Sequence, residues 1–224
     1  MRFLLERISN PEIEPVTLAE AKRHIRQFVN VTTEDDDIEL LIQVAREWVE
    51  EYTGRVLIDQ TWRLTVEPQV FIPTATDAVD APPGASSGAC AWTRDNRILL
   101  RRSPVLSIEA LATLDAQGNE TAVDPSGYVL WNAGTKWPSI GPGTAAAWPS
   151  SAFRVTFRAG FADRTGSPIT GAEVVPPAFK HAIKLILAHY DGNRAPVNIG
   201  NIVSTLPYGI EWVLQPQKCD LGMA

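Results

Sequence analysis

PVTLAEAKRHIRQFVNVTTEDDDIELLIQVAREWVEEYTGRVLIDQTWRLTV, residues 15–66, reads as two amphipathic helices and a strand, with an acidic loop between the helices. Thr17 and Glu20 form a T-x-x-E capping box, which satisfies two otherwise unpaired backbone N–H groups at a helix start. Leu18, Ala21, Ile25, Phe28 and Val29 then share one face, so the first helix is expected to reach Val29. The second helix carries an apolar stripe of Ile38, Leu41, Ile42, Ala45, Trp48, Val49 and Tyr52 at three- and four-residue steps. Thr33 is its expected N-cap. Glu34, Asp35, Asp36 and Asp37 crowd its first turn, where negative charge meets the positive end of the helix dipole. Gly54 stands where a C-terminal stop belongs.

Beyond this stretch the periodicity changes. TWRLTV (61–66), ILL (98–100), VLSIEALATLD (105–115), YVLW (128–131) and FRVTFRAG (153–160) read as strands, with a hairpin turn at Ala116–Asn119. Residues 68–96 and 134–150 are rich in Pro, Gly and small residues and read as long loops or an arm. A third helix begins at Pro176–Pro177 with the stripe Phe179, Ala182, Ile183, Ile186, Leu187 and Tyr190, and ends at Gly192 and Pro196. The residues after Pro196 are apolar without a helix of useful length. Such a tail must dock on its own body or on a neighbour. The expected fold class is α+β. A helical bundle (residues 1–60 plus 175–195) holds an inserted antiparallel β-rich subdomain (61–174) with an arm at 68–96, and an extended docking tail (196–224) follows.

Composition narrows the functions. The 224 residues suit one large domain or two small ones, and 45% apolar content is enough for a sizeable core. The net charge of −6 argues against gripping nucleic acid through its phosphates, although Arg97–Arg102 forms a local basic patch. Cys90 and Cys219 stand far apart in no metal-binding spacing, which fits a reducing compartment. The first residues, MRFLLERISNPEIEP, are too short and acidic for a signal peptide, and no apolar run approaches a membrane span.

Catalytic readings find little purchase. Asp35–Asp37 lacks the glycine of a calcium loop. His24, His181 and His189 show no i, i+4 pair. Gly141–Thr144 lacks the Lys-Ser/Thr of a phosphate loop. No cofactor is expected. Of the seven tryptophans, Trp48 and Trp62 fall on core faces. Trp92, Trp137 and Trp148 lie in loops, as local anchors or protein–protein hot spots.

The two N-terminal helices, the TGR turn at 53–55, TWRLTV, VPPAFKHAIKLILAHYDGNR (175–194) and LPYGIEWVLQP (206–216) together resemble the head–tail connector (adaptor or head-completion) proteins of long-tailed bacteriophages and related gene transfer particles. An acidic run ending in T-G-R matches Asp36 to Arg55 nearly throughout. The 68–96 insertion departs from that pattern. The resemblance implies a structural virion protein and no enzyme. It implies a ring, usually of twelve copies, beneath the portal protein, assembled in the bacterial cytoplasm and resident in the virion neck. The ring would extend the DNA channel without binding DNA specifically and offer a platform to a neck, stopper or tail-terminator protein. The acids Glu34, Asp35, Asp36, Asp37, Glu47, Glu50 and Glu51 are then expected to face the lumen or a neighbouring subunit. Leu206, Tyr208, Ile210, Trp212 and Leu214 are expected at a portal or subunit interface. The competing readings are a β-rich ligand- or glycan-binding module with a helical cap, supported by loop tryptophans, and a hydrolase, for which no motif speaks.

Overall fold

The computed structural model describes residues 2–67, 97–143, 151–161, 175–192 and 208–219. The 68–96 arm, Cys90, Trp92, Trp148 and Leu206 lie outside them. The fold is α+β, with four helices and antiparallel sheets among the described residues. The helices are α1 (Leu18–His24), α2 (Asp35–Thr53), α3 (Pro177–Gly192) and α4 (Tyr208–Leu214). The strands are β1 (Arg2–Arg7), β2 (Gln60–Glu67), β3 (Ile98–Leu99), β4 (Val105–Leu114), β5 (Glu120–Val123), β6 (Tyr128–Trp131), β7 (Ser139–Pro142) and β8 (Ala152–Ala159).

The capping box at α1 is present. Thr17 Oγ1 accepts from the Glu20 N–H, and the Glu20 carboxylate accepts from the Thr17 N–H. The helix is shorter than its apolar face suggests. Arg26 takes a left-handed φ of 61°, and the N–H groups of Arg26 and Gln27 fold back onto the carbonyls of Arg23 and Lys22. This is the Schellman pattern, which satisfies the last carbonyls and turns the chain away. Phe28 and Val29 therefore leave the helix and stand in solvent, 81% and 50% exposed.

The N-cap of α2 is Glu34, with no side-chain cap bond, and not Thr33. Three acids in the first turn compensate through the helix dipole. At the other end Gly54 takes φ 68°, a conformation glycine adopts without steric cost, and ends the helix as expected. Ile38, Ile42, Ala45 and Val49 of α2 pack against Phe179, Ala182, Ile183, Ile186 and Leu187 of α3 to form a helical core.

Strand order in the larger sheet is β1-β2-β8-β4-β5, and in the smaller β3-β7-β6. Their core is Leu64, Val66, Leu111, Phe153, Val155 and Phe157, joined by Ile98, Leu100 and Ile140 of the smaller sheet's chain segments. Three strands were not named from the sequence: β5, which follows the expected hairpin turn and pairs with β4, and two that lay unread altogether. RFLLER forms β1, antiparallel to β2 in the register Phe3↔Val66 and Leu5↔Leu64, with Leu4 turned outward at 54% exposure. SIGP forms β7 inside the stretch read as a loop, because Ser139 and Ile140 pair with Leu99 and Ile98 on one side and with Trp131 and Leu130 on the other. Gly160, just past β8, sits against the backbone of Asp59, where a Cβ would come within 2.7 Å.

The extended tail is corrected. Residues 208–214 are helical, followed by a 3-10 turn at Gln215–Gln217. Ile210 and Leu214, both fully buried, join the helical core. The Cys219 N–H then donates to the Thr53 carbonyl at 2.8 Å, which ties the tail to the end of α2.

Candidate functional site

The acids of α2 divide by helical position. Glu50 lies on the inner face and is 5% exposed. It accepts from the Leu57 N–H at 2.8 Å, Gln60 Nε2 at 3.1 Å and the Arg46 guanidinium at 2.9 Å. Glu50 thus braces α2 against the start of β2, and the expectation that it faces a channel or a neighbour is corrected. Arg46, equally buried, also donates to Glu14 at 2.9 Å. Burial opposes the Arg46 charge, but Glu50 and Glu14 outweigh it and hold the guanidinium above its ordinary value. Burial in turn raises the Glu14 carboxyl despite the nearby Arg46.

The remaining acids reach the surface with different partners. Glu47 pairs with Arg7 at 2.8 Å and Glu51 with Arg102 at 2.6 Å. Arg102 also lies over the Trp62 ring, 4.6 Å from its centre. These groups line a cleft of about 400 Å³ between α2 and the sheet. Glu34 accepts from Gln27 at 3.2 Å, and Asp35 pairs with Lys22. Asp36 and Asp37 are exposed.

A second cleft, about 380 Å³, is lined by Glu20, Arg23, His24 and Lys184, where α1 meets α3. Burial, then Lys184 and His181, lowers the His24 pKa from 6.5. Among the described residues no group of three or more His, Cys, Asp or Glu could hold a metal ion, and no helix is long and apolar enough to cross a membrane.

The tail residues also separate. Ile210 and Leu214 face inward and are absorbed by the chain's own core, which corrects their expected place at an interface. Trp212 faces outward at 81% exposure. Leu206 and the Tyr208 side chain lie outside the description. Among the other tryptophans, Trp62 is buried and Trp48 stacks on Tyr52 with ring centres 5.0 Å apart. Trp131 and Trp137, at the β6–β7 end, are each 40% exposed, and Arg97 stacks on the Trp131 ring at 3.9 Å.

One group of surface residues escaped the sequence reading. Of the eleven large apolar side chains exposed among the described residues, five lie between Phe28 and Val44: Phe28, Val29, Val31, Leu40 and Val44. On α2 the stripe Asp36, Leu40, Val44, Glu47, Glu51 follows steps of four, four, three and four, opposite the buried stripe. That spacing was legible, but the inner stripe is longer and drew the assignment.

No family model matches the chain, and no curated protein does. Solved structures share its fold. A chain from the neck of an empty gene transfer agent (GTA) particle, computed with C6 symmetry, superposes with a TM-score of 0.67 at 21% identity, over 96% of this chain and 95% of that one. A chain from the virion of a native GTA particle gives 0.68 at 20% identity, over 96% and 95%. A chain from the neck of a native GTA particle, computed with C12 symmetry, gives 0.66 at 19% identity, over 96% and 94%.

Proposed function

We propose that this chain is a structural protein of the neck of a phage-like particle, a head–tail connector that forms a ring under the portal. The observation that supports this reading most is the end-to-end likeness to chains of GTA necks and virions, which takes in both the helical part and the sheets. The sequence resemblance to connector proteins points the same way from independent features. In this reading twelve copies surround the channel, extend it below the portal, and present a platform to a stopper or tail-terminator protein. The protein works by fitting surfaces together and has no catalytic role.

Charge is consistent with that task. A lumen must pass DNA without holding it, and a chain of net charge −6 repels phosphate. Of the acids expected to face the channel or the next subunit, Asp36, Asp37, Glu47 and Glu51 are the ones that stand exposed on α2. Trp212, exposed on a helix whose Ile210 and Leu214 are internal, is the anchor left for the portal.

The test is electron microscopy of particles made with and without this chain. The expected result is a ring of density between capsid and tail that disappears on deletion, leaving full or leaking heads without tails. Particles whose neck density is unchanged by deletion would refute the proposal. Saccharide-dependent quenching of tryptophan fluorescence in a lasting monomer would favour the binding-module reading instead.

A further inference from the structure

We infer that neighbouring copies meet head to tail, the α1–α2 corner of one copy receiving the β6–β7 end of the next. The inference rests on the ring reading above and names the contact that would build it.

The first surface is the corner made by the loop after α1 and the first half of α2. Lys22 is 2% exposed, yet its Nζ donates to the carbonyls of Val31 at 2.7 Å and Val29 at 3.4 Å and pairs with Asp35. A buried ammonium with three oxygen partners fixes the loop backbone. The fixed loop holds Phe28, Val29 and Val31 outside the fold, and Leu40 and Val44 continue the apolar surface along α2. Asp36 and Asp37 lie on the same exposed side of the helix. This corner is apolar with an acidic rim.

The second surface is its chemical counterpart. Val129, Trp131 and Trp137 stand exposed at 38%, 40% and 40%, with Arg97 on the Trp131 face and Lys136 in the connecting turn. Trp and Arg are the residues enriched where protein interfaces are best buried. This end is aromatic with a basic rim.

The two surfaces cannot meet within one chain. α2 has 19 residues and is about 28 Å long at 1.5 Å per residue. The acidic corner is at its N-terminal end. The aromatic end is near its C-terminal end, where Arg102 pairs with Glu51, Tyr52 reaches Gln215, and Lys136 donates to the neighbouring Pro216 carbonyl. Two different, complementary patches at opposite ends of one molecule make a heterologous contact, the kind that closes into a ring when the rotation permits. The occupant of each patch is a second copy of this chain, because the opposite charge and a second set of exposed apolar side chains are both its own.

The experiment uses the full chain in two charge-reversed forms, Asp36→Lys with Asp37→Lys, and Arg97→Glu with Lys136→Glu. Sedimentation velocity at millimolar concentration and low salt reads association, and circular dichroism reads fold. Wild type is expected to associate, and each variant alone to associate ~tenfold more weakly or less. An equimolar mixture is expected to recover wild-type association, because a lysine corner then meets a glutamate hairpin at one contact and native patches meet at the next. Phe28→Ser, which removes an 81% exposed side chain, is the companion if a charge variant misfolds, and is expected to weaken association with the helical spectrum intact. A monomeric wild type, undiminished variants, or a mixture that does not recover each overturns the inference. None of these outcomes decides whether the chain resides in the neck, which particle microscopy tests separately.

Discussion

Glu50 and Glu51 are adjacent acids with opposite roles. One helical step, 100°, carries Glu51 to the surface while Glu50 stays 5% exposed and accepts hydrogen bonds from Leu57, Gln60 and Arg46. Glu50→Ala is expected to destabilise the chain by about 3–5 kcal/mol, since it strips a buried guanidinium of one of its two hydrogen-bonded carboxylates and leaves the Leu57 N–H unpaired. Urea denaturation of the purified chain measures this. A loss smaller than that of an average surface substitution would count against the brace. His24 adds a pH dependence. Its folded pKa lies below 6.5 because of burial first and then Lys184 and His181. Between that folded value and 6.5 the unfolded chain binds more protons, so stability falls as pH drops through this window and levels off beneath it. Above 6.5 the contribution is fully present. The unfolding midpoint compared at about pH 8 and about pH 5 is expected to shift less in His24→Gln than in wild type.

At the scale of elements, α4 shows how a seven-residue helix can be indispensable. Alone it is too short to form in water. Packed on α3 it places Ile210 and Leu214 in the core and sends Trp212 outward. Ile210→Ala is expected to cost about 2–5 kcal/mol. Trp212→Ala is expected to leave stability within about 0.5 kcal/mol while weakening attachment to the portal. Thermal melts paired with a portal pull-down separate the two, and a large melting change in Trp212→Ala would mean that its exposure is misassigned. The apolar stripes of α2 and α3, the capping box and Gly54 were all readable, because periodicity and caps are local properties of the chain. The end of α1 was not. Its apolar face continues to Val29, but the Schellman turn at Arg26 and the grip of Lys22 on the loop carbonyls cut it short. β7 was unreadable for a related reason. Ser-Ile-Gly-Pro has little strand character of its own and is a strand only because β3 and β6 flank it.

For the whole molecule, the arrangement of charge matters more than its total. Arg7 and Arg102 answer Glu47 and Glu51, while Asp36 and Asp37 stand exposed at the other end of α2. If the paired acids line the channel, Glu47→Lys with Glu51→Lys is expected to give assembled, filled particles that eject DNA more slowly, because the added charges attract phosphate. Single-particle ejection assays measure the rate, and an unchanged rate would place those acids away from the DNA. The candidate surfaces were only partly legible. The acids and Trp212 could be named from the sequence, but which of them face outward depends on partners such as Arg46, Ile186 and Leu187 that are distant along the chain.

The linear chain on its own determined the helices α2 and α3, five of the strands, the acidic start of α2, and the resemblance to connector proteins, since each depends on spacing between near neighbours. Only the tertiary structure decided that the N-terminal residues form an edge strand, that the tail helix belongs to the core, that Glu50 is internal, and that Phe28, Val29 and Val31 are held outside. Those outcomes depend on long-range packing, which assigns each side chain a place inside or outside by what the rest of the chain brings against it.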